Sequence, residues 1–211
     1  MKKLPLIFLA LAITLIGCGI PSQKYGASKS EGVYFTVPYS WYEIPTTSLN
    51  AEEKKNGDNL ERAFQVKWQL AYSKSRDIRP GDVFNLATPE VPIVYARVRE
   101  LFPAEINSIN YNEMRNVVVP VTKWLEASDK NSNNINLLDD YDRIEVGARG
   151  IRTIFTYDYK GIASYIDQTV LLTPDRSKLY MFIVRCSVAC QKKYKEEMTK
   201  IGDSFTVRGS K

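Results

Sequence analysis

Four groups of side chains in this 211-residue sequence have types and spacings that could support chemistry, and one residue type is missing. There is no histidine. That excludes a Ser-His-Asp or Cys-His pair, a histidine metal ligand and a histidine acid–base catalyst. Cys186 and Cys190 enclose three residues and could bond to each other in an oxidising compartment. The alternative is two free buried thiols. Zinc, which wants four nitrogen or sulfur ligands, finds too few here, and no metal is expected. Asp139, Asp140, Asp142 and Glu145 follow an asparagine-rich stretch. Such carboxylates can hold calcium through hard oxygens, but the EF-hand spacing is absent and a solvated loop is the plainer reading. Arg97 and Arg99 share one strand face, and Arg149 and Arg152 flank Gly150. Brought together, four guanidinium groups would bind a phosphate headgroup or a carboxylate. Otherwise they belong to an open sheet face balanced by Glu100, Glu145 and Asp158. Tyr39, Trp41 and Tyr42 form an aromatic group suited to a partner patch or to ordinary packing. Gly147 and Gly150 match neither the P-loop nor the dinucleotide fingerprint and suit a bulge or a close backbone approach. No catalytic residue is assigned.

The elements that would position these groups are mostly strands. Val33 to Val37 is β-branched and aromatic and stops at Pro38, and Trp41 to Ile44 is a short extended piece. Ala63 to Tyr72 alternates Phe64, Val66, Trp68, Leu70 and Tyr72 against Gln65, Lys67, Gln69 and Ala71, which predicts a half-buried strand. Ile93 to Leu101 and Ile151 to Tyr159 alternate in the same way. Tyr165 to Leu172 and Leu179 to Cys186 flank Thr173-Pro-Asp-Arg-Ser-Lys178, so they form a hairpin. A helix is expected over Gln191 to Ile201, ended by Gly202. Another is expected over Ile106 to Ala127, broken or kinked at Pro120. Asn50 to Asn59 and Ser128 to Asn136 read as solvated loops. Strands joined by turns, with a few helices apart, give an α+β fold with a mainly antiparallel sheet of about six or seven strands.

The start of the chain is a targeting segment. Lys2 and Lys3 precede an apolar run from Leu4 to Ile16, shorter than the roughly 20 residues a spanning helix needs. Leu15-Ile16-Gly17-Cys18 follows and resembles the bacterial lipobox. The resemblance implies removal of residues 1–17 as a signal peptide and acylation of Cys18 by lipid chains such as palmitate. The removed segment holds two of the 29 basic residues and none of the 24 acidic ones, which leaves 27 against 24, a net charge of +3. That mild balance, with basic residues scattered, does not suit nucleic acid. Residues 18–31 are polar and small and read as a flexible tether. Residues 32–208 then form one domain.

The order Gly32-Val-Tyr-Phe-Thr-Val-Pro-Tyr-Ser-Trp41, then Ile166-Asp-Gln-Thr-Val-Leu171, Leu179-Tyr-Met-Phe182 and Ser204-Phe-Thr-Val207 resembles PsbP-like proteins. That fold is shared by the Ran-binding Mog protein and by bacterial lipoproteins of the LpqN type. The resemblance implies an α/β/α sandwich and a non-enzymatic adaptor or assembly role, with no cofactor. It carries no functional residue onto a position of this chain. The expectation is a lipid-anchored protein on the extracytoplasmic face of a bacterial membrane, serving a protein complex there. The alternative is a carrier holding a small lipophilic ligand between sheet and helices. A hydrolase is weakest, because neither Ser-x-x-Lys nor Gly-x-Ser-x-Gly occurs.

Overall fold

A computed structural model describes residues 21–55, 65–127 and 134–209. Cys18 and the leader of residues 1–17 lie outside the described residues, as does part of each expected loop. Ten strands run in order: β1 (Gln23–Ser28), β2 (Val33–Pro38), β3 (Tyr42–Ile44), β4 (Val66–Ser73), β5 (Ile93–Glu100), β6 (Asn136–Ile144), β7 (Arg149–Tyr159), β8 (Ile162–Leu172), β9 (Lys178–Ser187) and β10 (Thr206–Val207). The helices are α1 (Thr46–Lys55), α2 (Pro80–Phe84), α3 (Pro103–Ser108), α4 (Tyr111–Arg115), α5 (Val121–Glu126) and α6 (Val188–Ser204). The fold is α+β, as the strand pattern predicts.

Seven strands form an antiparallel sheet in the order β3-β4-β5-β9-β8-β7-β6. Both faces are covered. On one face lie α6 and the small sheet β1-β2-β10, packed through Phe35, Phe182 and Phe205. The Phe182 and Phe205 rings stack at 4.5 Å. On the other face α1 to α5 bury Leu49, Ile93, Tyr95, Phe155 and Ile166. Double coverage explains why β8 and β9 are buried along most of their length, and why β4 is buried on both faces from Gln69 on, not half-buried.

Several expectations are corrected. Residues 23–28 are no tether. They pair with β2 in the register Gln23↔Pro38 to Ser28↔Val33. The segment looks like a linker because it mixes polar residues with small ones and its buried positions, Gly26 and Ser28, are not apolar side chains. A Cβ on Gly26 would come within 2.2 Å of the Phe35 ring, so smallness there is a packing requirement. The folded unit therefore begins before residue 32. The acidic residues 139–142 are not a loop but the middle of β6. The asparagine-bearing stretch around residue 50 is largely helix α1. The helix expected over residues 106–127 is instead three short ones, because Ile109 is extended and Asn110 caps a new start through Asn112 N and Glu113 N. Gly202 does not end the last helix. It sits inside α6 against the Arg152 guanidinium, where a Cβ would lie 2.4 Å from Nη2.

That guanidinium is the centre of a buried ionic network. Arg152 on β7 donates through Nε (2.8 Å) and Nη2 (2.7 Å) to the two oxygens of Asp167 on β8. Its Nη1 donates to Asp203 on α6 (2.6 Å) and to the Tyr141 hydroxyl on β6 (3.1 Å). The Arg152 and Asp167 side chains are 3% and 4% exposed. Burial alone would lower the Arg152 pKa, but the Asp167 and Asp203 contacts raise it, so the pair stays ionised on the arginine side. Breaking one partner of such a pair strands a buried charge. Arg152→Met should therefore cost about 3–5 kcal/mol in urea unfolding. Arg152→Met/Asp167→Leu should cost less than the sum of the two single changes, and costs that simply add would show the pair is not coupled.

Candidate functional site

The four arginines do not assemble. Arg97 and Arg99 lie on β5, while Arg149 and Arg152 lie on β7, with β9 and β8 between. Arg152 is buried under α6. Arg149 lines a separate cavity of about 430 Å³ with Arg176 and Tyr111. Arg97 is held by Glu53 on α1 at 2.6 Å, and Arg99 by both oxygens of Glu105 on α3 at 2.7 and 2.8 Å. The expected anion patch is therefore not formed. In its place is a cleft of about 350 Å³ between β5 and α1, α3 and α4, lined by Glu53, Arg97, Arg99, Glu105 and Glu113 among others. Three carboxylates there outnumber two guanidinium groups.

Tyr95 anchors the cleft floor. Its hydroxyl donates to Gln69 Oε1 at 2.6 Å and lies 3.5 Å from Arg97 Nη1. Burial pushes the phenol up to about 12, moderated by the Arg97 charge. Arg97 itself is held protonated: burial works against its charge, but Tyr95 and Glu53 outweigh that. The cleft is lined by two ion pairs, Glu53–Arg97 and Glu105–Arg99, which are a poor lining for a lipophilic ligand.

The aromatic trio is also divided. Trp41 is 1% exposed and belongs to the core beneath the small sheet. Tyr39 and Tyr42 are exposed, and Arg76 stacks on Tyr42 at 4.6 Å. Cys186 and Cys190 are disulfide-bonded and join the end of β9 to the first turn of α6. Ser187 between them caps that helix by accepting from Cys190 N. Bond and cap together fix where α6 leaves the sheet.

The four carboxylates follow one another along a strand and the turn after it, and they do not converge on a cation site. Asp140 accepts from Arg115 on α4 and from Thr153. Glu145 accepts from Arg143 and Thr206. Asp139 and Asp142 face solvent. Their strand, β6, is the last of the large sheet, and among the described residues no strand pairs with its outer side. Inward contacts hold it: Asp140 to Arg115, Tyr141 to Arg152, and Arg143 to the Phe205 carbonyl at 3.0 Å. What faces outward is unusual. Of eleven exposed large apolar side chains among the described residues, five fall within residues 137–146: Leu137, Leu138, Tyr141, Ile144 and Val146. Ile144 is 80% and Val146 90% exposed. A register shift between Leu137 and Asp139 and the charges of Asp139 and Asp142 partly blunt the edge against indiscriminate pairing. A nine-residue open edge carrying apolar side chains is a place where an extended segment of another protein can add a strand. Sequence reasoning missed it because the acids hide the apolar residues interleaved with them. The available signal was Ile135, Leu137, Leu138, Tyr141, Ile144 and Val146 within twelve residues.

No family model and no curated protein matches the chain. Among solved structures it is similar to the cyanobacterial PsbP (CyanoP) of Synechocystis sp. PCC 6803, at 14% identity, covering 90% of this chain and 95% of that one, with a TM-score of 0.49. It is similar to LpqN, involved in cell envelope biogenesis of Mycobacterium tuberculosis, at 12% identity over 88% and 90% of the two chains, with a TM-score of 0.47. It is also similar to the Saccharomyces cerevisiae Ran-binding protein Mog1p, at 9% identity over 89% and 96%, with a TM-score of 0.45. At such values no residue, partner or activity is carried over.

The ionic cleft yields a direct test. The Arg97 and Glu53 side chains are 13% and 11% exposed. Glu53→Leu leaves the arginine without its carboxylate and should lower stability by about 2–4 kcal/mol in chemical denaturation. Glu53→Leu/Arg97→Leu should recover part of that loss, with a coupling energy above about 1 kcal/mol. Additive costs would show that the two charges do not depend on each other.

Proposed function

We propose that this chain is a lipid-anchored extracytoplasmic protein whose domain binds other proteins as a non-enzymatic adaptor or assembly factor for a membrane-associated complex. The observation that carries the reading is the open β6 edge with Leu138, Ile144 and Val146 exposed along and just beyond it. Main-chain hydrogen bonds to an added strand would supply affinity, and these side chains would supply selectivity. The anchor rests on the lipobox resemblance at Cys18. Two or more acyl chains hold a protein on a membrane stably, and tethering raises the effective concentration of the domain near its partners. No helix among the described residues is long and apolar enough to cross a membrane.

The carrier reading finds less support. The opening between sheet and helices is lined by the two ion pairs, and the apolar side chains that share the lining, Ile109, Val117, Leu179 and Met181, are packed into the neighbouring core.

The test is crosslinking of the acylated protein in its native membrane, followed by mass spectrometry. A reproducible protein partner should crosslink within residues 136–146. Leu138→Asp and Ile144→Asp should each cut recovery roughly tenfold, the equivalent of about 1.4 kcal/mol. Melting temperature should barely move, because both side chains are already in water. A co-purifying lipophilic compound with no protein partner would replace the adaptor by a carrier. Partners that crosslink elsewhere and ignore both substitutions would remove the edge from the mechanism.

A further inference from the structure

The correction at residues 23–28 has a geometric consequence. The reading of a lipid at Cys18 leaves only residues 19–21 between the anchor and Ser22, which is already tied down. Ser22 accepts from Tyr39 N at 3.0 Å, and β1 starts at the next residue. Four extended residue steps reach about 14 Å at most. The end of the domain where β1 begins must therefore lie against the headgroup region, and the domain cannot tumble freely on a long leash.

The surface at that end is basic. The start of β1 and the outer side of α6 together line a shallow groove of about 620 Å³, with Ser22 and Gln23 on one side and Lys192, Lys193, Lys195 and Lys200 on the other. All four lysines are exposed. The acids of the same helix stretch are Glu196, which is exposed, and Glu197, which Lys74 already neutralises at 2.9 Å. Lys24 adds a further cation at the strand start, held between the Trp41 carbonyl and the Tyr72 ring. The exposed rings of Tyr25 and Tyr39 flank the site. Lysines that pack on the body of a helix and extend their ammonium groups outward, beside amphipathic aromatic rings, suit an anionic bilayer surface. Attraction of this kind fades over a screening length of about 8–10 Å, comparable with the leash, so the anchor would hold these charges within range.

We infer that the outer face of α6, with the start of β1, is a membrane-docking face that rests on anionic lipid headgroups and orients the anchored domain. The inference rests on the anchored reading above and deepens it. It also fixes where the β6 edge points. Lys24 packs on Tyr72 of β4, while β6 is the far edge of the sheet, five strand positions away. At about 4.8 Å per strand that is roughly 24 Å. The leash and the open edge are thus at opposite rims of the large sheet, and although the C-terminal end of α6 meets β6 through Arg152 and the Phe205 carbonyl, the outer side of β6 stays unpaired among the described residues.

The test is amine footprinting of the full protein as purified from membranes, in phosphatidylcholine vesicles with and without phosphatidylglycerol. Labelling of Lys192, Lys193, Lys195 and Lys200 should slow at least threefold in the anionic vesicles and recover in high salt. Lys54 on α1 and Lys123 on α5, across the sheet, should label equally in both. The variant Lys192→Gln/Lys193→Gln/Lys195→Gln/Lys200→Gln changes only exposed side chains, so its melting temperature serves as the folding check. It should be more readily labelled at Lys24 in anionic vesicles than the parent. Equal labelling of the four lysines in both vesicle types would overturn the docking face while leaving the anchor intact. The mass of the N-terminal peptide separates the two ideas: an unmodified Cys18 would overturn the anchored reading. The docking face would then be judged on sedimentation of the same full chain with the same vesicles. Binding only to the anionic ones would keep it, and no binding would end it.

Discussion

The architecture turns on one buried charge. Arg152 sits on β7, the strand beside the edge of a doubly covered sheet, and its guanidinium ties three other elements to it: Asp167 on β8, Tyr141 on β6 and Asp203 on α6. A planar, five-donor cation is suited to this in a way no other side chain is. The cost of burying it is offset only while the carboxylates stay in place. Gly202 is the complementary half of the arrangement, because only a residue without a side chain lets α6 come down onto the ion pair. The position of α6, the exit of β10 behind it and the attachment of the edge strand β6 all follow from this contact.

A second buried arginine works differently. Arg185 on β9 meets no carboxylate. It donates to the carbonyls of Asp82, Val83 and Asn85 at the end of α2. Burial lowers its pKa, and the carbonyl dipoles are what it has in compensation. It pins the 79–88 segment to the sheet, and Tyr157 does the same through the Leu86 carbonyl at 2.6 Å. The two arginines show why neither was a ligand site: each is consumed by the fold. Charge on a strand is cheap to recognise in a sequence, but whether a guanidinium is spent on a neighbouring strand depends on pairings that no local pattern reveals.

Period-two alternation made β4, β5 and β7 legible, because burial on a pleated surface writes itself into the order of residues, and the apolar runs either side of Pro174-Asp175 did the same for β8 and β9. The disulfide was legible as one of two alternatives. Elements whose residues face water were not. β1 and β6 each lie at a sheet edge, where polar and small residues are interleaved with the exposed apolar ones, and composition alone makes them look like a tether and a loop. The short helix α2 escaped, and α3 to α5 were merged into one expected helix, for another reason. Each is too brief to show a period, and each is set by a local device, such as Pro80 and Pro103 at the first turn or the Asn110 cap. The aromatic trio failed on register: Trp41 turns inward while its neighbours turn out.

On the proposed reading, the same two misread edges would give the molecule a functional polarity. Read as a tether, residues 18–31 would let the domain sample every orientation, and any surface could meet any partner. With residues 23–28 a strand, an anchor at Cys18 would leave a leash too short for that, and the orientation would become a property of the fold. An adaptor with fixed orientation needs its binding surface away from the bilayer, and the sheet provides it without further machinery. Antiparallel order places β4 near one rim and β6 at the other, so an anchor on the first leaves the second open. The exposed apolar residues of β6 then need not be hidden by another element of the domain. Their bulge and aspartates limit self-association, while a partner segment of matching shape can still pair. The distance between rims is set by strand number and not by any side chain. In the proposed adaptor the separation of anchor from docking edge would therefore be robust to sequence change, and the selectivity of the edge would be left to Leu138, Ile144 and Val146.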